Sequence, residues 1–375
     1  MTRNRLLIGL GLVSLGALSS SCRRESPAPE PAPTVAAAPA PEAVPAAAPE
    51  PAKPKMSHEK LVSFFRLSAA AKAIKPPADT PAQVALGQKL FFEKRLSKNH
   101  DISCNSCHDL ATFGVDGKPT SEGHKGQKGN RNAPTVFHAA GHVAQFWDGR
   151  AATLEDQAAG PMMNPLEMAM PGDKRVLATL NSIPQYVAEF KTAFPADKKA
   201  VSVTNAARAI AAFERKLLTT SRFDLFLAGD EKALTEQERR GLELFASSGC
   251  TTCHNGPSVG GTSFQKLGVM EDYPTEDQGR FAVTKNEEDL RKFRVPTLRN
   301  VEKTGPWFHD GSVTELPTAV RLMGKHQLGM TFTDAEVDDI VAFLKSLTGE
   351  LPGSGLLSPP ELPPSTAATP KPDPT

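Results

Sequence analysis

Two copies of one short pattern, CNSCH at 104–108 and CTTCH at 250–254, hold four of the five cysteines in this 375-residue chain. Cys-x-x-Cys-His is the attachment pattern of c-type haem: two thiols form thioethers with the vinyl groups and the adjacent imidazole takes the iron. Cys104 and Cys107 would hold one haem with His108 as proximal ligand, and Cys250 and Cys253 a second with His254. Rival uses fit less well. A four-thiol zinc site leaves both histidines idle. A thioredoxin-like pair needs a βαβ context that the flanks lack. A disulfide within so short a loop would be strained.

The surroundings of the two motifs repeat as well. GQKLFF (87–92) precedes the first and GLELFA (241–246) the second; RNAPTVFHAAGHVAQFWDG (131–149) parallels FRVPTLRNVEKTGPWFHDG (293–311). Pro134 to Asp148 and Pro296 to Asp310 are equal spans, and Leu154 and Leu316 stand equally far beyond them. Such self-similarity points to a duplicated unit, one haem domain per copy. Each copy reads as helical. Thr235 with Glu238, and Thr333 with Glu336, are capping boxes, and Val337, Ile340, Val341, Leu344 and Leu347 recur at helical spacing. No alternating strand pattern stands out. The expected fold is mainly α, two cytochrome c-like haem domains related by internal duplication: 57–228 N-terminal and 229–350 C-terminal.

The copies differ where a sixth iron ligand is needed. Met323 lies thirteen residues after Asp310, and its sulfur suits an electron-transfer haem; His326 is the rival. The same offset from Asp148 falls on Pro161, in GPMMNPLEM (160–168), and proline cannot bind iron. Met162 and Met163 flank that position. Glu167 is the more useful neighbour, because a carboxylate above an open iron position can take a proton from hydrogen peroxide and return it to the leaving oxygen. Gln157, upstream, would hydrogen-bond the same ligand. Spacing alone reads Glu167 more readily as a solvated loop residue.

The ends read differently. Residues 1–22 form a signal peptide, with basic MTRNR, apolar LLIGLGLVSLGAL and small SSSC. Cys22 stands where a lipoprotein signal places its acylated cysteine, but Ser19 replaces the usual aliphatic residue, so a lipid anchor and plain secretion both stay open. Residues 23–56 are a Pro/Ala-rich linker, and 351–375 are expected to be a disordered tail. With 43 basic and 42 acidic residues the chain carries no basic surplus, which argues against nucleic acid as a partner.

Together GHKGQKGNRNAPT (123–135), AQFWDGR (144–150), GPMMNPLEM, KTGPWFHDG (303–311) and LMGKHQLG (322–329) resemble the bacterial di-haem cytochrome c peroxidase family, from about residue 85 to 349. The resemblance implies a low-potential, peroxidatic N-terminal haem whose iron is capped at rest by His124. It implies a high-potential, electron-entry haem with His254 and Met323. It also implies a calcium ion held by the Asn132 side chain and the Thr304 and Pro306 carbonyls, Trp147 between the haems, and a homodimer. A relative that matures the methylamine dehydrogenase cofactor has Tyr at the position of Met323, so Met favours the peroxidase branch. The expected activity is reduction of hydrogen peroxide with electrons from a small cytochrome c or cupredoxin, in the periplasm, with Glu167 and Gln157 at the reacting end. The alternatives are a non-enzymatic di-haem electron carrier, with both irons permanently six-coordinate, and a post-translational oxidase of a partner protein.

Overall fold

The computed structural model describes residues 56–66 and 78–375. The signal segment, the linker up to residue 55 and Cys22 lie outside the described residues. Each repeat is built on one pair of crossing helices. In the first, Pro81–Phe92 opens the unit and Val203–Glu214 closes it. In the second, Glu236–Ser247 and Asp334–Ser346 do the same. The starts are fixed by side chains that satisfy the first free N–H groups. Thr80 and Gln83 form a capping box ahead of Pro81, and Ser202 caps its helix by accepting from Asn205 N. Both boxes expected from sequence, Thr235 with Glu238 and Thr333 with Glu336, are present.

The repeated glycine explains why the helices approach so closely. A Cβ on Gly87 would lie 1.8 Å from the Ala209 carbonyl oxygen, and one on Gly241 would lie 1.8 Å from that of Asp339. Four residues on, Phe91 meets Phe213 edge-on at 5.4 Å, and Phe245 meets Phe343 at 5.2 Å. Each fully buried ring contributes roughly 1.5–3 kcal/mol. The two crossings are the same joint made twice.

The duplication extends to backbone conformation. His138 and Asn300, four residues after Pro134 and Pro296, both have positive φ (62° and 61°), as do Phe146 and Phe308 (65° and 69°). Non-glycine residues rarely adopt this region, so matched exceptions mark one inherited loop. The strands are minor: Thr220–Ser221 pairs with Gly349–Glu350, and Phe264–Lys266 with Lys292–Arg294. Two or three residues are too few to leave an alternating pattern in the sequence.

Two boundary expectations need correction. The segment His58–Ser63, placed by sequence in the first domain, packs in the second core: Leu61, Val62 and Phe65 join Phe223, Phe226, Phe245 and Phe343. Its apolar face finds partners there, with Phe65 edge-on to Phe223 at 5.0 Å. Residues 351–375 are not a disordered tail. They run as a strap along the first repeat, where Leu351, Leu356 and Leu357 pack on its core. Arg95 donates to the Pro363 carbonyl at 2.8 Å and to Ser365 at 2.9 Å, Thr366 donates to the Ser182 carbonyl at 2.8 Å, and Asp373 N donates to the Lys98 carbonyl at 3.0 Å. Proline-rich chain cannot build a core of its own, but its carbonyls can be satisfied by a neighbour's donors.

Candidate active site

The two motif histidines sit in matching surroundings. Burial lowers the pKa of both rings, that of His254 to about 4, so each imidazole is held neutral as a metal ligand must be. The carbonyls of Gly114 and Pro134 lie near His108, and those of Val259 and Pro296 near His254, partly opposing that shift. Neither Nδ1 meets a partner in hydrogen-bonding geometry. The four motif thiols are free, and burial pushes each pKa up. Unpaired thiols beside a neutral buried imidazole fit covalent haem at both places.

The second site is a cavity of about 470 Å³. Cys250, Cys253, His254 and Met323 all line it, with Val320 and Ile340 among the apolar residues around them. Met323 is the last residue of the helix Leu316–Met323, directly before a π-helical turn at Gly324–Leu328. Its rival His326 does not line the cavity. That ring bonds the Glu271 carbonyl through Nδ1 at 3.0 Å and packs edge-on against Tyr273.

In the first repeat, His124 and Glu167 are brought together. His124 is 5% exposed, and its Nε2 is buried without a partner. Its backbone N–H donates to the Glu167 carbonyl at 2.7 Å, and Gln127 Nε2 donates to the His124 carbonyl at 3.1 Å. A Cβ on Gly123 would lie 1.9 Å from the Leu166 carbonyl oxygen. The glycine therefore lets the His124 loop lie directly on the Glu167 loop, bringing together two residues 43 positions apart.

Glu167 is half-buried and faces a cavity of about 510 Å³ with Pro161, Asn164, Arg150 and Phe146. Desolvation raises its pKa, while the Arg150 charge and the Asn164 side chain pull it partly back. Arg150 is anchored over the Phe146 ring at 3.4 Å and on Asp148 at 3.1 Å. Gln157 stands one turn before Pro161 in the helix Leu154–Met163, half-buried, and does not line this opening. Met162 is 1% exposed and belongs to the first core, with Met163 packed beside it; both read as apolar filling.

Trp147 lines the second cavity and donates from Nε1 to the Asn132 carbonyl at 2.9 Å. The Asn132 backbone N–H donates across to the His309 carbonyl at 2.8 Å. Its Nδ2 is spent on the Lys118 and Pro119 carbonyls. Among the described residues nothing donates to Asn132 Oδ1 or to the Thr304 and Pro306 carbonyls, and all three residues line the same cavity. Free oxygen acceptors with no nitrogen or sulfur suit a hard cation such as calcium.

Sequence reasoning missed the arginines. Arg131 joins the repeats through Asp148 at 2.6 Å and Asp277 at 2.7 Å. Arg294 stands two residues before Pro296, as Asn132 does before Pro134, so the repeat register was its available signal.

A sequence profile of di-haem cytochrome c peroxidases matches residues 81–232, and one of cytochrome c matches 238–348. The chain is 49% identical over 296 residues to a cytochrome c551 peroxidase of Pseudomonas aeruginosa, covering 77% of this chain and 84% of that one. The chain belongs to the di-haem cytochrome c peroxidase family. A cytochrome c551 peroxidase of Nitrosomonas europaea is 50% identical over 305 residues, covering 80% and 88%. Among solved structures, a MauG-like protein associated with microbial copper homeostasis superposes with a TM-score of 0.69 at 31% identity, over 77% of this chain and 97% of that one. Family membership accounts for the repeat and the two haem motifs together.

Proposed function

We propose that this chain reduces hydrogen peroxide to two waters with two protons and two electrons, the electrons delivered one at a time by a small soluble donor, a monohaem cytochrome c or a cupredoxin. Bound haem supplies the iron and the redox chemistry. His108 and His254 would be the proximal ligands and Met323 the permanent sixth ligand of the electron-entry haem on Cys250 and Cys253. The observation that carries the reading is the contrast between the two distal sides. Met323 and His254 line one cavity, whereas the matching position in the first repeat is Pro161, with Glu167 and the unpartnered Nε2 of His124 close by.

In this reading His124 would hold the resting iron of the first haem and would release it when the second repeat is reduced. Lys125 and Gly126 both have positive φ, which suits a loop that rearranges. Glu167 would take a proton from peroxide and return it to the departing oxygen, whereas Gln157, expected from the sequence to bond the same ligand, does not line the opening beside Glu167. Asn132, Thr304 and Pro306 would hold calcium between the repeats, where Trp147 also sits. A periplasmic location, reached by the signal segment with or without a lipid on Cys22, and a homodimer complete the proposal. No helix among the described residues is long and apolar enough to cross a membrane.

Steady-state turnover of peroxide with reduced cytochrome c is the test. Rapid oxidation of the donor at micromolar peroxide is expected. Its absence, with both irons six-coordinate in every redox state, would leave an electron carrier.

A further inference from the structure

Each of the other inward-facing arginines has a carboxylate. Arg131 has Asp148 and Asp277, Arg215 has Asp79 and Glu155, and Arg299 has Asp224. Arg294 is 2% exposed, more buried than any of these, and pairs with no carboxylate among the described residues. Its guanidinium makes two long bonds only, Nε to the Phe146 carbonyl and Nη1 to that of Val295, both at 3.4 Å. Five N–H donors are available. Burial without a counter-ion depresses its pKa to about 10. An unpaired buried charge costs several kcal/mol, so a chain that keeps one has a use for it.

The same cavity holds a second unsatisfied group. His142 and Arg294 both line the space bounded by Cys250, Cys253, His254 and Met323. Both ring nitrogens of His142 are buried without a partner. Desolvation and then the Arg294 charge hold the ring neutral, so the two groups sit within electrostatic reach. Gly261 joins their segments: its carbonyl accepts from Val143 N at 2.7 Å and its N–H donates to the Val295 carbonyl at 2.8 Å. A Cβ there would fall 2.3 Å from His142 Cδ2, and φ is +78°, so the imidazole rests against a position only glycine fills easily.

We propose that Arg294 and His142 form the carboxylate-binding end of this cavity, with the guanidinium as counter-ion of a haem propionate and the imidazole as a further hydrogen-bond partner. The cavity's own ligand brings the two carboxylates that the chain withholds. The arrangement belongs to one repeat alone, because the first repeat has Asn132 at the register of Arg294. A fixed positive charge there offsets the propionate and favours the ferrous state. Arg294 is thus a positioning and potential-setting residue for the electron-entry haem, an inference that rests on the assignment of that haem to Cys250 and Cys253.

The test uses the full-length holoprotein and the variants Arg294→Gln, Arg294→Lys and His142→Gln. Pyridine haemochrome and the Met–iron absorption band come first. One haem only, or no Met ligation, in the unaltered protein defeats the functional reading itself. With both intact, potentiometric titration of Arg294→Gln should move the reduction equilibrium of the Met-ligated haem at least tenfold toward the oxidised form, about 59 mV for one electron. The other haem should not move. Arg294→Lys and His142→Gln should shift it less, and resonance Raman should show altered propionate bending in Arg294→Lys. If Arg294→Gln loses a haem, the Lys variant decides by the same two readouts. An unmoved potential with an unmoved propionate mode, or a shift confined to the other haem, overturns the proposal.

Discussion

In the proposed reaction Glu167 has to both take and give a proton. Partial burial raises its pKa while Arg150 and Asn164 keep it ionisable. The working base is the ionised form, so turnover should fall as pH drops through the raised pKa. Glu167→Gln keeps the shape and removes the base. Peroxide turnover should drop by at least about 10², without that pH limb, while both haems and the spin change on half-reduction persist. Met162→Leu, a change within the core, should cost little; near-normal turnover in Glu167→Gln would make this stretch a packed turn. Glu214 makes a separate prediction about stability. It is 4% exposed, and desolvation, opposed by Arg215 and reinforced by Glu155, pushes its pKa up to about 8 from 4.5. The folded chain then binds the extra proton across that window. Stability from this group is full below about pH 4.5 and is lost as pH rises toward 8, by up to about 1.4 kcal/mol per unit. Glu214→Gln should flatten this slope, so its urea midpoint should gain on the parent's as pH rises. A constant offset from pH 5 to 8 would contradict it.

At the scale of elements, the His124 loop and the Glu167 loop act as one piece. The bond from His124 N to the Glu167 carbonyl and the Gly123–Leu166 contact mean that moving one loop disturbs the other. His124→Gly should therefore give a high-spin first haem before any reduction, seen by electron paramagnetic resonance, with the second haem unchanged. A low-spin first haem with its resting ligand intact would show that another residue is the cap. The C-terminal strap touches the same region from behind. Asp373 N bonds the Lys98 carbonyl, and Lys98 N bonds the Met168 carbonyl at 2.8 Å, one residue from Glu167. Ending the chain at Leu357 removes the bonds to Arg95, Ser182 and Lys98, each worth about 0.5–1.5 kcal/mol net. Thermal unfolding followed at the first haem should shift down more than that at the second; equal shifts would mean that the strap stabilises both repeats alike.

At the scale of the whole molecule, each core borrows from the far end of the chain. Residues 57–66 complete the second core and 351–375 brace the first. Arg131, bonded to Asp277, joins the repeats near Trp147 and Asn132. The working unit is thus the pair of repeats, and a lesion in one should be felt as lost traffic in the other. Changing Cys250 and Cys253 to Ala should leave one covalent haem by pyridine haemochrome and a protein that no longer accepts electrons from reduced cytochrome c. Two haems in that variant would refute the attachment assignment.

What the sequence determined by itself is what is written in short spacings. The haem motifs, the capping boxes, the duplicated prolines and the offset that selects Met323 over Pro161 all depend on residues close along the chain, where covalent geometry and helix period fix the relation. The helical class followed from the same local signals. Tertiary structure alone decided which distant residues meet. It put His124 on the Glu167 loop, turned His326 away from the iron cavity, left Gln157 off the opening beside Glu167, and set Arg294 and His142 in one cavity with no carboxylate paired to Arg294 among the described residues. It also gave the proline-rich tail a surface to lie on. These relations come from packing and burial, which weigh a residue's surroundings in space, and no spacing along a chain records those.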